Sequence, residues 1–379
     1  MTQASRGLEP PRRLADYTTL GLGGPARGFV SARTEPGLIG AVRSADRAGE
    51  PVLLIGGGSN LVISDEGFPG TVVHVNTRGV TYVAAGDGLI SVTAAAGEDW
   101  DDVVAATVGE GLAGLEPLSG IPGRAGATPI QNVGAYGREV AEVITQVRVY
   151  DRQEDRIRII PNELCAFSYR TSLFKSGRPE SLIAPRDGSP SRAAGQPRYV
   201  VLDVTFRLPR QSLSAPVRYT ELAAELGIEI GEQAVVSEVR AAVIKIRSRK
   251  GMVLNPGDLD TRSAGSFFTN PVLTAAEFAR VEAAAAGRGA GPVPGYPAGR
   301  GLVKVPAAWL IERSGFAKGY GAERCRPARV SSKHTLALVN GGEATTADLL
   351  GLAREIVSGV RTAYGVTLTP EPILVGVTL

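Results

Sequence analysis

The chain has 379 residues, a formal net charge of +3, 43% hydrophobic and 21% charged residues, an ordinary globular balance with room for two or three domains, which excludes a disordered chain and gives no basic tail for nucleic acid. Cys165, Cys325, His74 and His334 are its only cysteines and histidines, too few for a transition-metal centre and in keeping with a reducing compartment. No apolar stretch reaches membrane-spanning length and the N-terminus has no apolar signal core, so a cytoplasmic protein is expected.

From the N-terminus, Leu38, Val42 and Ala45 lie on one helical face, and "PVLLIGGG" reads as a short buried strand running into a turn. "TVVHV" and "LISVTAAA" read as strands. "DWDDVVAATVGEG" reads as a helix with Asp99 as its cap and Gly109 and Gly111 near its end. Residues 114–137, rich in Gly and Pro, read as one long structured loop. "VITQVRVYD", "RIRII" and "YVVLDVTFRL" follow as strands, and the polar stretch 175–198 is expected to be a mobile surface loop. A new unit is expected near residue 210. Val236, Val239, Val243 and Ile246 repeat at helical steps and end in the basic run Arg247, Arg249 and Lys250. "TAAEFARVEAAAAG" and "VPAAWLIERSG" are further helices. The last helix starts on a Thr345–Asp348 capping pattern and stops at Gly365, and "PILVGV" closes the chain as a strand. The pattern is α+β.

Glycine supplies 48 residues, and two stretches concentrate it. In "IGGGSNLVISDEGFPG" the backbone amides of Gly56, Gly57 and Gly58 are free of side-chain crowding, and Ser59 and Asn60 add donors. The stretch matches neither the P-loop nor the G-x-G-x-x-G pattern, and a plain tight turn fits it equally well. The second stretch, "PLSGIPGRAGATPIQNVGAYGREV", interleaves Gly120, Gly123, Gly126, Gly134 and Gly137 with Thr128, Gln131 and Asn132. Together the two suit a large, flat, phosphorylated cofactor. The first would hold its phosphates and the second would run along its rings.

These loops, with "FSYRTSLFK" and "AGSFFTNP", resemble the UDP-N-acetylenolpyruvoylglucosamine reductase family from "TTLGLGGPA" to "TPEPILVG". The resemblance implies a vanillyl-alcohol-oxidase-like FAD-binding domain with a separate α+β substrate domain. The expected divisions are 1–80 and 81–212 for FAD, 213–365 for substrate, and a C-terminal strand, 366–379, returning to the active site. It implies FAD and NADPH, with residues 55–61 (Ile55, Gly56, Gly57, Gly58, Ser59, Asn60, Leu61) and Gly120, Gly123, Gly126, Ala127, Thr128, Gln131, Asn132, Gly134, Ala135 and Gly137 on the cofactor. Many enzymes of this fold attach FAD through a histidine in a glycine loop. "GGGSN" has none, so dissociable FAD is expected.

The family's chemistry adds hydride to one carbon of an enolpyruvyl ether and a proton to its neighbour. Arg170 resembles the family arginine on the substrate carboxylate, where a guanidinium suits two-pronged binding. Ser266 resembles the proton donor, a role that needs no histidine. Glu371 resembles the glutamate acting with Arg170 on the enolic intermediate. Read without the family, the commoner readings are Ser266 as a turn residue, Arg170 as a surface ion-pair partner and Glu371 as a solvated charge. Tyr136, Tyr219, Arg247, Lys250 and Asn270 are the implied substrate contacts, Lys250 on the UDP diphosphate and Tyr219 folding over the substrate. Trp309, Leu310 and Ile311 read as core, with Lys304 or Glu312 near the substrate. The partner is a small sugar nucleotide, with no nucleic acid or membrane, and a monomer is expected. Two alternatives stay open: another FAD oxidase on the same fold, and a nucleotide-binding protein without redox activity.

Overall fold

The structure, a computed structural model of the chain, describes residues 12–176 and 197–379; most of the expected mobile stretch 175–198 lies outside them. The chain divides into two compact units. Apart from the undescribed N-terminal residues, the first holds Ala26–Gly57 and Pro69–Ser248, the second Arg12–Pro25, Gly58–Phe68 and Arg249–Leu379. The expected boundaries do not follow this division. The strand Leu61–Ile63 pairs in parallel with Ile373–Val375, so an early segment belongs with the C-terminal part. Residues 213–248 pack with the first unit.

In the first unit, an antiparallel five-stranded sheet runs in the order Arg156–Pro161, Ile144–Asp151, Tyr199–Pro209, Leu89–Ala95 and Val80–Ala84. A smaller sheet places Phe68–Val75 between Ala26–Ala32 and Val52–Ile55. The helices Glu35–Arg47 and Trp100–Gly109 cover the core. Leu38, Val42 and Ala45 are buried, as their spacing requires, beside Trp100, Val103 and Val104. The side chain of Asp99 accepts the Asp101 N–H and caps the second of these helices. A satellite core gathers Val217, Leu222, Val239, Val243 and Ile246. Burying each such aliphatic side chain contributes about 1.5–3 kcal/mol before conformational entropy is counted.

The second unit is built on the helices Ala275–Gly287, Ala307–Arg313 and Thr346–Tyr364. Their apolar faces, including Val281, Leu310, Ile311, Leu349, Ile356 and Val360, pack with Phe267, Phe268 and Val62. The last helix has the expected capping box between Thr345 and Asp348 and stops at Gly365, φ 70°. Residues 114–137 are more ordered than a loop. They hold turns of 3₁₀ helix at Glu116–Leu118 and Ala125–Ala127, a single helical turn, Thr128–Gln131, and half of a small hairpin. Each piece is too short to leave a periodic signal.

Candidate active site

The two glycine stretches meet within the first unit. Ile55 is the buried end of its strand. A Cβ added to Gly57 would stand 2.8 Å from the Gly123 Cα, and one on Gly56 would meet the Arg124 Cγ at 3.1 Å. At position 57 only glycine permits the approach without a backbone shift, whereas at position 56 the neighbour is a side chain that could give way. Gly58 begins the second unit. Its φ is 59° and an added Cβ would lie 1.9 Å from the Tyr17 carbonyl oxygen. The expected cofactor run 55–61 is therefore shared: Ile55 to Gly57 belong to one unit, and Gly58, Ser59, Asn60 and Leu61 to the other. Asn60 accepts the Ile373 N–H at 2.9 Å through its carbonyl and reaches the Glu371 carbonyl through Nδ2 at 3.5 Å.

The second stretch is tied down by groups that the sequence did not single out. The Gly120 N–H donates to Asp101 Oδ1 at 2.6 Å, and Arg240 grips both oxygens of that carboxylate at 2.7 and 2.8 Å. Burial works to raise the Asp101 pKa, but the Arg240 and Gly120 hydrogen bonds outweigh it and hold the carboxyl below its ordinary value. The Gly123 carbonyl accepts the Trp100 N–H, and the Gly126 N–H donates to the Ala96 carbonyl at 2.9 Å. Thr128 and Asn132, expected on the cofactor, have side chains engaged within the protein. Thr128 Oγ1 donates to the Ala125 carbonyl at 2.8 Å. Asn132, buried and left-handed at φ 44°, donates through Nδ2 to Glu139 Oε2 at 2.7 Å and to the Ser168 carbonyl at 3.1 Å, and its Oδ1 accepts the Ala141 N–H at 3.3 Å. Ala127 is exposed. Among the described residues, Gln131 Oε1 and Arg124 Nε are buried without a hydrogen-bond partner. Gly134 and Ala135 pair with Arg138 and Glu139, and Tyr136 (φ 50°) and Gly137 (φ 79°) form the hairpin tip.

Arg170 also occupies a turn. Ser168 and Thr171 exchange two backbone hydrogen bonds of 3.1 Å, leaving Tyr169 and Arg170 at the tip with Arg170 at φ 56°. Its Nη2 donates to the Gly134 carbonyl at 3.1 Å, and its guanidinium carbon lies 5.4 Å from the centre of the Tyr169 ring. Lys175 Nζ donates to the Arg170 carbonyl at 3.1 Å. A left-handed conformation in a non-glycine residue is uncommon and persists where the surroundings enforce it.

At the tip of the Gly134–Glu139 hairpin, Tyr136 stands edge-on to Tyr219 with ring centres 5.4 Å apart. Burial pushes the Tyr136 phenol up to about 12, and it shares a hydrogen bond with Arg247, whose own pKa burial lowers. Tyr219 precedes the helix Thr220–Leu226 and is 43% exposed, so it is not a core residue. Lys250 lies past the end of the helix Val236–Arg249 and falls in the second unit.

The segments carrying Ser266 and Glu371 pair in the second unit. The Glu371 N–H donates to the Phe267 carbonyl at 2.9 Å, the Thr269 N–H to the Thr369 carbonyl at 3.0 Å, and Phe268 bridges Pro370. Phe267 and Phe268 anchor this pairing in the core. Gly265, φ 71°, has open space where a Cβ would stand, so the turn before Ser266, rather than crowding, selects glycine. Ser266 and Glu371 are both half-buried. Asn270 Oδ1 accepts the Ala307 N–H at 2.9 Å and serves the start of the helix Ala307–Arg313. In that helix Leu310 and Ile311 are core, Trp309 packs beside them, and Glu312 bonds Thr335 Oγ1.

A sequence model of the FAD binding domain matches residues 26–159, and one of the C-terminal domain of UDP-N-acetylenolpyruvoylglucosamine reductase matches residues 256–375. The UDP-N-acetylenolpyruvoylglucosamine reductase of Thermobifida fusca is 53% identical over 369 residues, covering 97% of this chain and 97% of that protein. That of Streptomyces avermitilis is 55% identical over 369 residues, 97% of this chain and 94% of that protein. The crystal structure of the reductase from Thermus caldophilus covers 97% of this chain and 98% of its own with a TM-score of 0.61 at 24% identity, a likeness of fold. The α+β architecture, an FAD-binding domain joined to a separate C-terminal domain, agrees with the sequence expectation, and the chain belongs to the UDP-N-acetylenolpyruvoylglucosamine reductase family.

Proposed function

We propose that this chain reduces UDP-N-acetylenolpyruvoylglucosamine to UDP-N-acetylmuramate, with NADPH as reductant and FAD as carrier, in peptidoglycan precursor synthesis. The observation that carries the reading is the pairing of the Ser266 and Glu371 segments inside the region matching the family's C-terminal domain.

The residues fit FAD. Gly57 and Gly123 approach too closely for any side chain, and Arg124 Nε and Gln131 Oε1 are buried polar atoms among the described residues without a protein partner, an arrangement suited to a phosphorylated ligand. Ile55, Gly56 and Gly57 with Gly123, Gly126 and Gln131 would hold it. Bound FAD would supply the hydride chemistry that links NADPH to bond formation at the terminal carbon of the enolpyruvyl group. As that bond forms, the electron pair of the double bond moves toward the substrate carboxylate. Arg170 neutralises the growing charge with a group that stays ionised at any working pH. Glu371 acts with it on the enolic intermediate. Ser266 gives its hydroxyl proton to the carbon next to the one that received hydride, and solvent reprotonates the serine oxygen. Tyr136, Tyr219, Arg247, Lys250 and Asn270 contact the sugar nucleotide.

The test is NADPH oxidation by FAD-loaded protein with and without the enolpyruvyl substrate. Stoichiometric consumption of both is expected. Reduced flavin that reacts rapidly with oxygen and not with the enolpyruvyl ether would replace this reading with that of an oxidase. In this reading FAD is held without a covalent bond, because the glycine loop "GGGSN" offers no histidine for attachment. Denaturation in urea should release a yellow cofactor, and colour retained on the precipitated chain would contradict this.

A further inference from the structure

We infer that Asn132 is a positioning residue for Arg170, an inference that rests on the role proposed above for that arginine. Arg170 is held at φ 56° in a two-residue turn closed by Ser168 and Thr171. Left-handed backbone in a non-glycine residue persists only where its surroundings enforce it. Three side chains do so from outside the turn's own hydrogen bonds. Asn132 Nδ2 donates to the Ser168 carbonyl at 3.1 Å, Ser172 Oγ to the Ile130 carbonyl at 2.9 Å, and Lys175 Nζ to the Arg170 carbonyl at 3.1 Å.

Of these, Asn132 is the best fixed. It is 1% exposed and ends the helical turn Thr128–Gln131 in a left-handed conformation. Its second Nδ2 hydrogen goes to Glu139 Oε2 at 2.7 Å, and its Oδ1 takes the Ala141 N–H. Glu139 is locked in turn by a reciprocal capping box with Glu142. Gly134, whose carbonyl takes the Arg170 Nη2 hydrogen, lies two residues after Asn132 and pairs with Glu139. One buried amide therefore fixes both the turn that carries the guanidinium and the strand on which that guanidinium rests. An amide is suited to this because it donates two hydrogens and accepts in the same plane. Misplacing a reacting group by a fraction of a bond length costs rate while binding persists.

The experiment compares the two half-reactions of the holoenzyme by stopped flow. N132G is the first variant, since glycine adopts the left-handed backbone of this position without strain. N132D/E139Q is the second. Its new carboxylate still accepts the Ala141 N–H and receives a hydrogen from the glutamine, but nothing is donated to the Ser168 carbonyl. In both variants FAD stays bound and reduction by NADPH is unchanged, while reoxidation by the enolpyruvyl substrate slows by about 100-fold, through kcat rather than KM. R170A, measured alongside, separates the two claims. If R170A reoxidises normally, the proposed role of Arg170 falls. If R170A is slow but the Asn132 variants reoxidise normally, only the positioning inference falls. Loss of FAD from both Asn132 variants, or an equal slowing of both half-reactions, also overturns it, because Asn132 would then serve the cofactor or the fold.

Discussion

In the mechanism proposed above, the two units carry their function in different kinds of atoms. In the first, the informative features belong to the backbone: Gly57 against Gly123, Gly126 against Ala96, and left-handed turns at Asn132, Tyr136 and Arg170. In the second, they are side chains, Ser266 and Glu371, displayed from two segments zipped together over the phenylalanines Phe267 and Phe268. A surface that must accept a large flat cofactor is shaped by removing side chains, whereas proton transfer needs one hydroxyl in one place. Damage to the first kind of surface should therefore touch everything the cofactor does, and damage to the second should touch a single step.

The sharpest division is expected from Ser266→Ala. Reoxidation by substrate should fall by about 10²–10⁴-fold, with reduction by NADPH untouched. Equal losses in both half-reactions would erase the contrast. Arg170→Lys comes next. It is a side-chain group in the backbone-shaped unit, so it should behave like Ser266, losing about 10²–10³-fold in the same step, because a point charge replaces a planar fork. Gly57→Ala sets a Cβ at 2.8 Å from the Gly123 Cα; overpacking of this kind costs about 1–3 kcal/mol. It should lower FAD content and both half-reactions together, read by absorbance of the purified protein and by thermal unfolding. Selective loss of one half-reaction would mean that the close approach does not serve the cofactor.

The smallest effect is expected at Asp101→Asn, which weakens the grip of Arg240 and of the Gly120 N–H. The cost is about 1–2 kcal/mol for a partly exposed pair. Because the Asp101 pKa is lowered in the fold, its stabilisation is complete above the ordinary carboxylate pKa and disappears as pH falls through the lower, folded value. Unfolding midpoints should differ between wild type and variant at neutral pH and converge in acid. A constant gap across that range would show that Asp101 does not titrate as proposed.

Much of this was legible in the sequence because it is local. The helix Thr346–Tyr364 follows its capping pattern and terminal glycine, and Val239, Val243 and Ile246 share one face as their spacing requires. The glycine stretches announced a backbone that something approaches closely. What stayed hidden depends on distant partners. No local pattern could reveal that Leu61–Ile63 pairs with Ile373–Val375, and so the division into units ran elsewhere than expected. Thr128 and Asn132 were expected on the cofactor; the partners their side chains have within the protein, at Ala125, Glu139, Ala141 and Ser168, are set by the fold and leave no local pattern. The ties from Asp101 and Arg240 to Gly120 were missed for the same reason.

The parallel pairing of Leu61–Ile63 with Ile373–Val375 also sets an order of events during synthesis. Leu20, Leu22 and Val62 leave the ribosome early, yet the core that buries them is made of residues near the other end of the chain. These segments must wait, without their final partners, until translation is nearly finished. A fragment ending before Arg249 would leave them uncovered, and one starting at Arg249 would lack them, so neither piece should be obtainable in stable form.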